Sequence, residues 1–271
     1  MADFGDDFRG TVAVVTGGAS GIGRATAQEF VRAGAHALLV DRDEPLARRT
    51  AAELGQATAV AADVSGEEGC GRAARAAADL GRPVKWLVNC AASFLSAAER
   101  ATGRDWDTSL GVNVKGTALM AGAIAPLIRQ AGGGAIVNVA SISGWIAQPN
   151  RWTYNATKGA VLALTRCQAL DLARDNIRVN SVSPGTIWTP ELDRMTEGRR
   201  ADWEPVFGPQ HVLGRVGEPV EVASAILFLC SSAASFITGE DLRVDGGYLA
   251  QGHDRPEREI AYTGGETKPS D

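Results

Sequence analysis

The sequence predicts an α/β fold, a single domain built on a doubly wound parallel sheet of seven strands, and two observations carry that expectation. Short apolar runs rich in Val, Ile and Ala alternate with longer helical stretches along most of the 271 residues. Most of these runs are apolar almost throughout rather than at every second position, the pattern of strands covered on both faces. Strands separated by helices pair in parallel through right-handed crossovers.

Taken in order, the strand candidates are 11–16 (TVAVVT), 35–41 (AHALLVD), 57–62 (ATAVAA), 84–89 (VKWLVN), 135–140 (AIVNVA), 177–182 (IRVNSV) and 241–244 (DLRV). Between them 21–33, 44–54, 65–79, 105–130, 154–174 and 219–230 have helical length and spacing. No linker or repeat divides the chain, so residues 1–250 read as one domain. Two segments break the alternation. Residues 189–213 hold Pro190, Pro205 and Pro209 with Trp203 and Phe207 and no strand pattern, and an insertion of that length reads as a substrate lid. Residues 251–271 are charged and Gly-rich with almost no apolar residues, a solvated polar tail that could also cross onto a neighbouring subunit.

Composition excludes several classes. Apolar residues make up 45% and charged residues 22%, too apolar for a disordered chain. A net charge of −5 argues against nucleic acid as a partner, because phosphate contacts need a basic excess. No apolar run approaches the roughly 18 residues of a membrane span. Met1 to Asp7 carries three Asp and no basic residue, unlike a signal peptide. The four cysteines (70, 90, 167, 230) are far apart without a C-x-x-C pair and read as reduced thiols in a cytoplasmic protein. Three isolated histidines offer no metal-ligand spacing, and no metal is expected.

The first strand runs into Thr16-Gly17-Gly18-Ala19-Ser20-Gly21-Ile22-Gly23, and a helix starts at once. Glycines there permit a tight turn and close approach to a pyrophosphate, which meets the N–H groups of the helix N-terminus. Asp41 closes the second strand about 20 residues on, where a carboxylate accepts hydrogen bonds from ribose hydroxyls and repels the 2′-phosphate of NADP. Arg42 could pair with that phosphate instead. No Arg or Lys occupies the turn at Gly18–Ser20, so NAD is expected over NADP.

A second constellation is Ser141, Tyr154 and Lys158. Tyr154 and Lys158 are four residues apart on a helix and share one face. Ser141 follows a strand whose C-terminal end reaches the ligand crevice. A phenol starts near pKa 10, and a nearby ammonium lowers it toward useful proton exchange.

With these residues in place, the chain resembles the short-chain dehydrogenase/reductase family from Thr11 to Gly247. The T-G-x-x-x-G-x-G turn matches at Thr16, Gly17, Gly21 and Gly23, with Ser20 and Ile22 beside them. Asp63-Val64 matches the dipeptide beside the adenine, and Tyr154-Asn155-Ala156-Thr157-Lys158 the catalytic motif. Asn113 matches the helix Asn of an Asn-Ser-Tyr-Lys tetrad, which holds a water against the lysine. Asn180 matches a structural Asn, and Val244-Asp245-Gly246-Gly247 the ending of the last strand. Pro184-Gly185 and Thr189-Pro190, with Ile187 between, match the segment along the nicotinamide. The usual Asn-Asn-Ala-Gly after the fourth strand reads Asn89-Cys90-Ala91-Ala92, and Ala92 in place of Gly narrows the backbone there. Asn89 and Ala91 still fall among the cofactor-binding positions.

The resemblance implies that Tyr154 is the general acid/base, that Lys158 lowers its pKa while bonding the nicotinamide ribose, and that Ser141 orients the substrate oxygen. It also implies a homotetramer through the helices at 105–130 and 154–174, the second offering Val161, Leu164, Ala169 and Leu172. The expected activity is NAD-dependent interconversion of a secondary alcohol and a ketone, or a lactol and a lactone. Ser143, Trp145, Gln148, Arg151, Trp152 and Trp188 join Ser141 as candidate substrate residues, because indoles beside amide and guanidinium donors suit a polar ring such as a sugar or cyclitol. Lid residues Glu204, Gln210 and His211 add further hydrogen-bonding groups. Alternatives are a less polar cyclic secondary alcohol (steroid, terpenoid or aromatic diol), then a 3-oxoacyl carrier-protein substrate. A different class is a non-catalytic NAD(H)-binding regulatory protein, since fold alone does not give function.

Overall fold

The structure, a computed structural model, describes residues 6–252. The polar tail expected at 251–271 lies outside the described residues from 253 onward. Along the chain run β1 (Val12–Thr16), α1 (Gly21–Arg32), β2 (His36–Asp41), α2 (Glu44–Leu54), β3 (Ala57–Ala61), α3 (Glu67–Asp79) and β4 (Val84–Asn89). Then come α4 (Gly103–Leu110), a π-helical turn (Gly111–Gly116), α5 (Thr117–Gln130), β5 (Gly134–Val139), α6 (Trp152–Leu172) and β6 (Ile177–Pro184). The chain continues through α7 (Pro190–Met195), α8 (Arg200–Phe207), α9 (Pro219–Cys230) and β7 (Asp241–Val244).

The seven strands form one parallel sheet in the order β3-β2-β1-β4-β5-β6-β7. Alternate residues of each strand serve opposite faces, and both faces are dry. Ala13, Val15, Leu39, Val88 and Val137 pack with Ala27 and Phe30 of α1 and with Val222 and Ile226 of α9. Val12, Val14, Leu38, Leu87 and Ile136 pack on the other side with Ala73 of α3 and with Met120, Ile124 and Ile128 of α5. The chain reverses direction across the sheet between β1 and β4, and loops at that switch point open a crevice at the C-terminal strand ends.

Local chemistry explains the element ends. Asp43 caps α2 by accepting from Leu46 N–H at 3.0 Å, with Pro45 in the first turn. Thr102 and Asp105 close a reciprocal capping box on α4. Three departures from the sequence reading follow from the same kind of detail. The helix expected over 105–130 is broken by the π-helical turn at Gly111–Gly116. Gly116 passes so close to Val64 that a Cβ there would meet its side chain at 3.0 Å. Residues 189–213, where the sequence shows no strand pattern, fold as α7 and α8, neither of which buries a residue. Of the residues expected to offer α6 surface to another subunit, Val161 and Ala169 are buried, and Leu164 and Leu172 half-buried.

One helical run among the described residues, Gly103–Gln130, has the length and apolar composition of a membrane span, against the sequence expectation. Its apolar side chains Met120, Ile124 and Ile128 are fully buried against the sheet, which makes it a core helix.

Candidate active site

The cofactor half of the crevice is built by backbone. Gly17 has φ of +63°, a conformation that side chains rarely adopt. Gly23 lies so near the strand end that a Cβ would sit 2.2 Å from the Gly17 carbonyl oxygen. With no side chain in the way, α1 begins directly over the turn and aims its first N–H groups into the crevice. Asp41 is fixed beside them: its Oδ2 accepts from Ala19 N–H at 3.2 Å and its Oδ1 from Asp43 N–H at 3.0 Å. Asp63 accepts from Ser65 N–H at 2.9 Å, and the Ser65 backbone and hydroxyl hold its carboxyl below the usual carboxylate range.

The resulting cleft, about 520 Å³, brings together Gly17, Ser20, Gly21, Ile22, Gly23, Asp41, Arg42, Asp63 and Val64 with Ala91, Lys158 and Thr189. Thr16 Oγ1 positions the far wall by accepting from the N–H groups of Cys90 and Ala91, both at 3.0 Å. The turn, the bare helix terminus and the carboxylate fit an adenosine diphosphate moiety, with Lys158 at the other end. Five of the expected cofactor residues lie outside this lining, Tyr154 among them. Asn89 is buried and donates to Asn138 Oδ1 at 2.9 Å, bracing β4 against β5. Pro184 ends β6, while Gly185 and Ile187 line a separate cavity of about 400 Å³.

Beyond the lysine sits the candidate reaction centre. Lys158 is 3% exposed, and its Nζ donates to Val139 O at the end of β5 at 2.7 Å. The same Nζ lies 5.6 Å from the centroid of the Tyr154 ring. Burial pulls the ammonium down to about 8 and pushes the Tyr154 phenol up to about 12. The groups that oppose the rise at Tyr154 are a hydrogen bond with Ser141 and the Arg151 guanidinium. Cys90, beside Lys158, is likewise pushed to about 12 by desolvation. Asn113, in the π-helical turn, accepts from Ser93 N–H at 2.7 Å and donates to Ser93 O and Thr157 Oγ1, both at 3.0 Å. Its side chain is wholly committed to the protein.

The structure redraws the substrate side. Ser141 Oγ accepts from Ser143 N–H at 3.1 Å, and Ser143 Oγ donates to Gln148 Oε1 at 2.5 Å, so these polar groups stay in one cluster. The three tryptophans do not gather at the site. Trp145 donates to Asp241 at 3.0 Å and to Ser183 at 3.3 Å and stacks with Arg243, because these groups satisfy its indole N–H at the sheet edge. Trp188 donates to Asp193 and lies under the Arg200 guanidinium inside the lid. Trp152 opens α6 and is half-exposed. None of the three lines the cleft. Two lid groups expected to meet substrate are also spent elsewhere: Glu204 on Arg200 and Val216 N–H, and His211 on Phe207 O and Thr186 N–H. The aromatic residue that does meet the reaction centre is Phe94, stacked on Tyr154 at 5.8 Å between centroids. The contact joins the loop after β4 to a helix 60 residues on.

A turn that cradles a dinucleotide, followed in space by a buried Ser-Tyr-Lys cluster, defines a nucleotide-dependent oxidoreductase. The family model described as Enoyl-(Acyl carrier protein) reductase matches residues 17–249. The chain is 40% identical over 253 residues to Galactitol 2-dehydrogenase (L-tagatose-forming) of Cereibacter sphaeroides, covering 91% of this chain and 98% of that one. It is 37% identical over 244 residues to Cyclopentanol dehydrogenase of Comamonas testosteroni, covering 88% and 97%. Among solved structures, 3-ketoacyl-(acyl-carrier-protein) reductase from Brucella melitensis complexed with NADH superposes with a TM-score of 0.80 at 38% identity, over 89% of this chain and 99% of that one. The chain belongs to the short-chain dehydrogenase/reductase family, and it is an enzyme of the NAD(P)-dependent class acting on CH–OH donors.

The arrangement around Tyr154 yields a test. Arg151→Gln removes a cation that favours the phenolate, so the phenol pKa rises further. The pH profile of kcat/KM for alcohol oxidation should shift to higher pH, with NADH binding unchanged. An unmoved profile would remove Arg151 from the proton-transfer site.

Proposed function

We propose that the enzyme uses NAD to oxidise a secondary hydroxyl on a polyol, sugar or cyclitol to the ketone. The observation that carries this reading is the hydrogen-bonded run of Ser141, Ser143 and Gln148 that starts at the Tyr154 phenol, with the Arg151 guanidinium acting on the same phenol and the Asp41 carboxylate at the cofactor end. Relatives named Galactitol 2-dehydrogenase, D-threitol dehydrogenase of Mycolicibacterium smegmatis and NAD-dependent glycerol dehydrogenase of Listeria innocua support it. Cyclopentanol dehydrogenase supports the second reading, a less polar cyclic alcohol, which the half-exposed Phe94 and Leu95 beside the cleft also favour.

The bound dinucleotide supplies the hydride acceptor. In our reading Ser141 holds the substrate oxygen while Tyr154 takes its proton, so alcohol becomes ketone with one hydride and one proton removed. At neutral pH the cofactor-free site holds a neutral phenol beside a charged ammonium, the state that donates a proton to a ketone oxygen. Acting as a base requires the phenolate, which the Ser141 hydroxyl and the Arg151 guanidinium favour. Val139 O restrains the ammonium and keeps it near the ring.

For assembly we propose a homotetramer paired through the outer faces of α4, α5 and α6, where Leu110 and Leu170 are exposed at 41% and 81%. Burial of such side chains contributes about 1.5–3 kcal/mol each, a reason for pairing. Light scattering at micromolar concentration should give four times the monomer mass, and a monomer would refute the arrangement.

Two activity measurements test the reaction. A screen for NADH formation across polyols, sugars, cyclitols, steroids and simple cyclic alcohols should give its best turnover with a polyhydroxylated substrate. Tyr154→Phe should then cut that turnover by the ~10²–10⁴ that a lost general acid/base typically costs. Turnover with steroids alone, or a variant near wild type, would sink the substrate class or the role in turn. Cofactor choice is tested by comparing catalytic efficiencies. NAD should exceed NADP at least about tenfold, roughly 1.4 kcal/mol, and Asp41→Ala should narrow the gap. Equal efficiencies in the wild type would mean that Arg42 outweighs Asp41.

A further inference from the structure

Phe94 is the aromatic side chain in contact with the reaction centre, and the way it is held is unusual. Its ring stacks on Tyr154 with 25° between planes, yet it remains 51% exposed on the cleft wall, while Tyr154 beneath is only 7% exposed. The backbone on both sides is fixed. Before it, Ser93 N–H and O are both bonded to the Asn113 carboxamide. After it, Leu95 O accepts from Thr153 Oγ1 at 2.7 Å, and Ala97 O from Trp152 N–H at 3.2 Å. Two elements, the π-helical turn and the start of α6, therefore set where the ring stands. A segment tied at both ends leaves only side-chain torsions free.

We propose that Phe94 is the specificity-determining wall of the reaction site, an apolar surface laid over Tyr154 that accepts the C–H face of a compact substrate and rejects bulk beside the reacting carbon. This deepens the dehydrogenase reading above and rests on it. Ser141 and Arg151 act on the Tyr154 phenol as polar groups, whereas Phe94, with Leu95, lines the cleft as the apolar complement. Pockets of this kind orient ligands by a few polar groups against apolar walls. A polyol or cyclitol carries both surfaces, hydroxyls along its edge and C–H groups across its face. The ring also keeps water from the phenol, whose raised pKa has burial as its first cause.

The experiment compares wild type, Phe94→Leu and Phe94→Ala on two substrates: the best alcohol of the screen, and its homologue with an added methyl group on the carbon next to the hydroxyl. In Phe94→Ala the ratio of kcat/KM between the compact and the substituted alcohol should fall by about tenfold or more, in the range that one methylene commands in a hydrophobic site. Phe94→Leu, which keeps apolar bulk without a flat face, should lie between. The pH profile of kcat/KM should move to lower pH in Phe94→Ala, because water reaching the phenol relieves its desolvation. Circular dichroism and the thermal melting temperature should stay at the wild-type values in both variants and so report an intact fold. Wild-type turnover with an unchanged ratio and an unmoved profile in both variants would overturn this inference alone. Absence of turnover in the wild type on every alcohol would overturn the proposed function, and this inference with it.

Discussion

The carboxamide of Asn113 makes three hydrogen bonds at once, and the reaction site depends on them. Two go to the backbone of Ser93, on the segment after β4, and one to Thr157, next to Lys158 on α6. Three pieces of chain far apart in sequence are thereby set in one register. The π-helical turn accommodates the geometry. Its wider winding disturbs the helical hydrogen-bond ladder, and Thr117 Oγ1 bonds back to Asn113 O at 2.8 Å. A buried amide with every donor and acceptor satisfied favours a single arrangement, since each broken bond would leave a group unpaired at a cost of about 1–3 kcal/mol.

That rigidity matters because the groups it positions are costly to bury. A phenol and an ammonium lie within one desolvated volume, and burial moves each toward its neutral form. The Val139 carbonyl, the Ser141 hydroxyl and the Arg151 guanidinium offset part of that cost, each from a different element. The linkage sign is opposite for the two groups. A lysine lowered from 10.5 to about 8 makes folding more favourable as pH rises across that interval, and a tyrosine raised from 10 to about 12 reverses the trend above pH 10.

The two halves of the cleft differ in how far they can be read from the chain. The cofactor half is local. Gly17, Gly21 and Gly23 lie within seven residues, and Asp41 ends the adjacent strand, so strand period and glycine spacing suffice to place them. Tyr154 and Lys158 are legible for the same reason, being one helical turn apart. The substrate half is assembled from segments with no common period. Trp145, Trp152 and Trp188 are near one another in motif order, but each indole is decided by a partner the sequence does not reveal: Asp241, solvent, and Asp193 with Arg200. Asn89 followed the same rule, its motif position pointing to the cofactor and its amide claimed by Asn138.

The lid is held by a different kind of force from the rest of the cleft. Helices α7 and α8 bury no residue, and their ties are charged: Arg194 with Glu191, and Arg200 with Glu204 and, at the start of α9, Glu218. All are at least partly exposed, where an ion pair contributes about 0–1 kcal/mol and salt screens it. The far end of the lid is anchored instead by His211, buried between Phe207 O and Thr186 N–H. Segments with few buried apolar contacts open at small cost, whereas a buried, doubly bonded ring does not. The cheap end carries Thr189, Pro190, Glu191 and Arg194, the lid residues that line the cleft, and the fixed end adjoins Gly185 and Ile187, which line the separate cavity. A cleft built this way holds Tyr154 and Lys158 rigidly through Asn113 and Val139 while its outer wall rests on more exposed contacts, with the stiffness of each part following from the depth at which its hydrogen bonds are made.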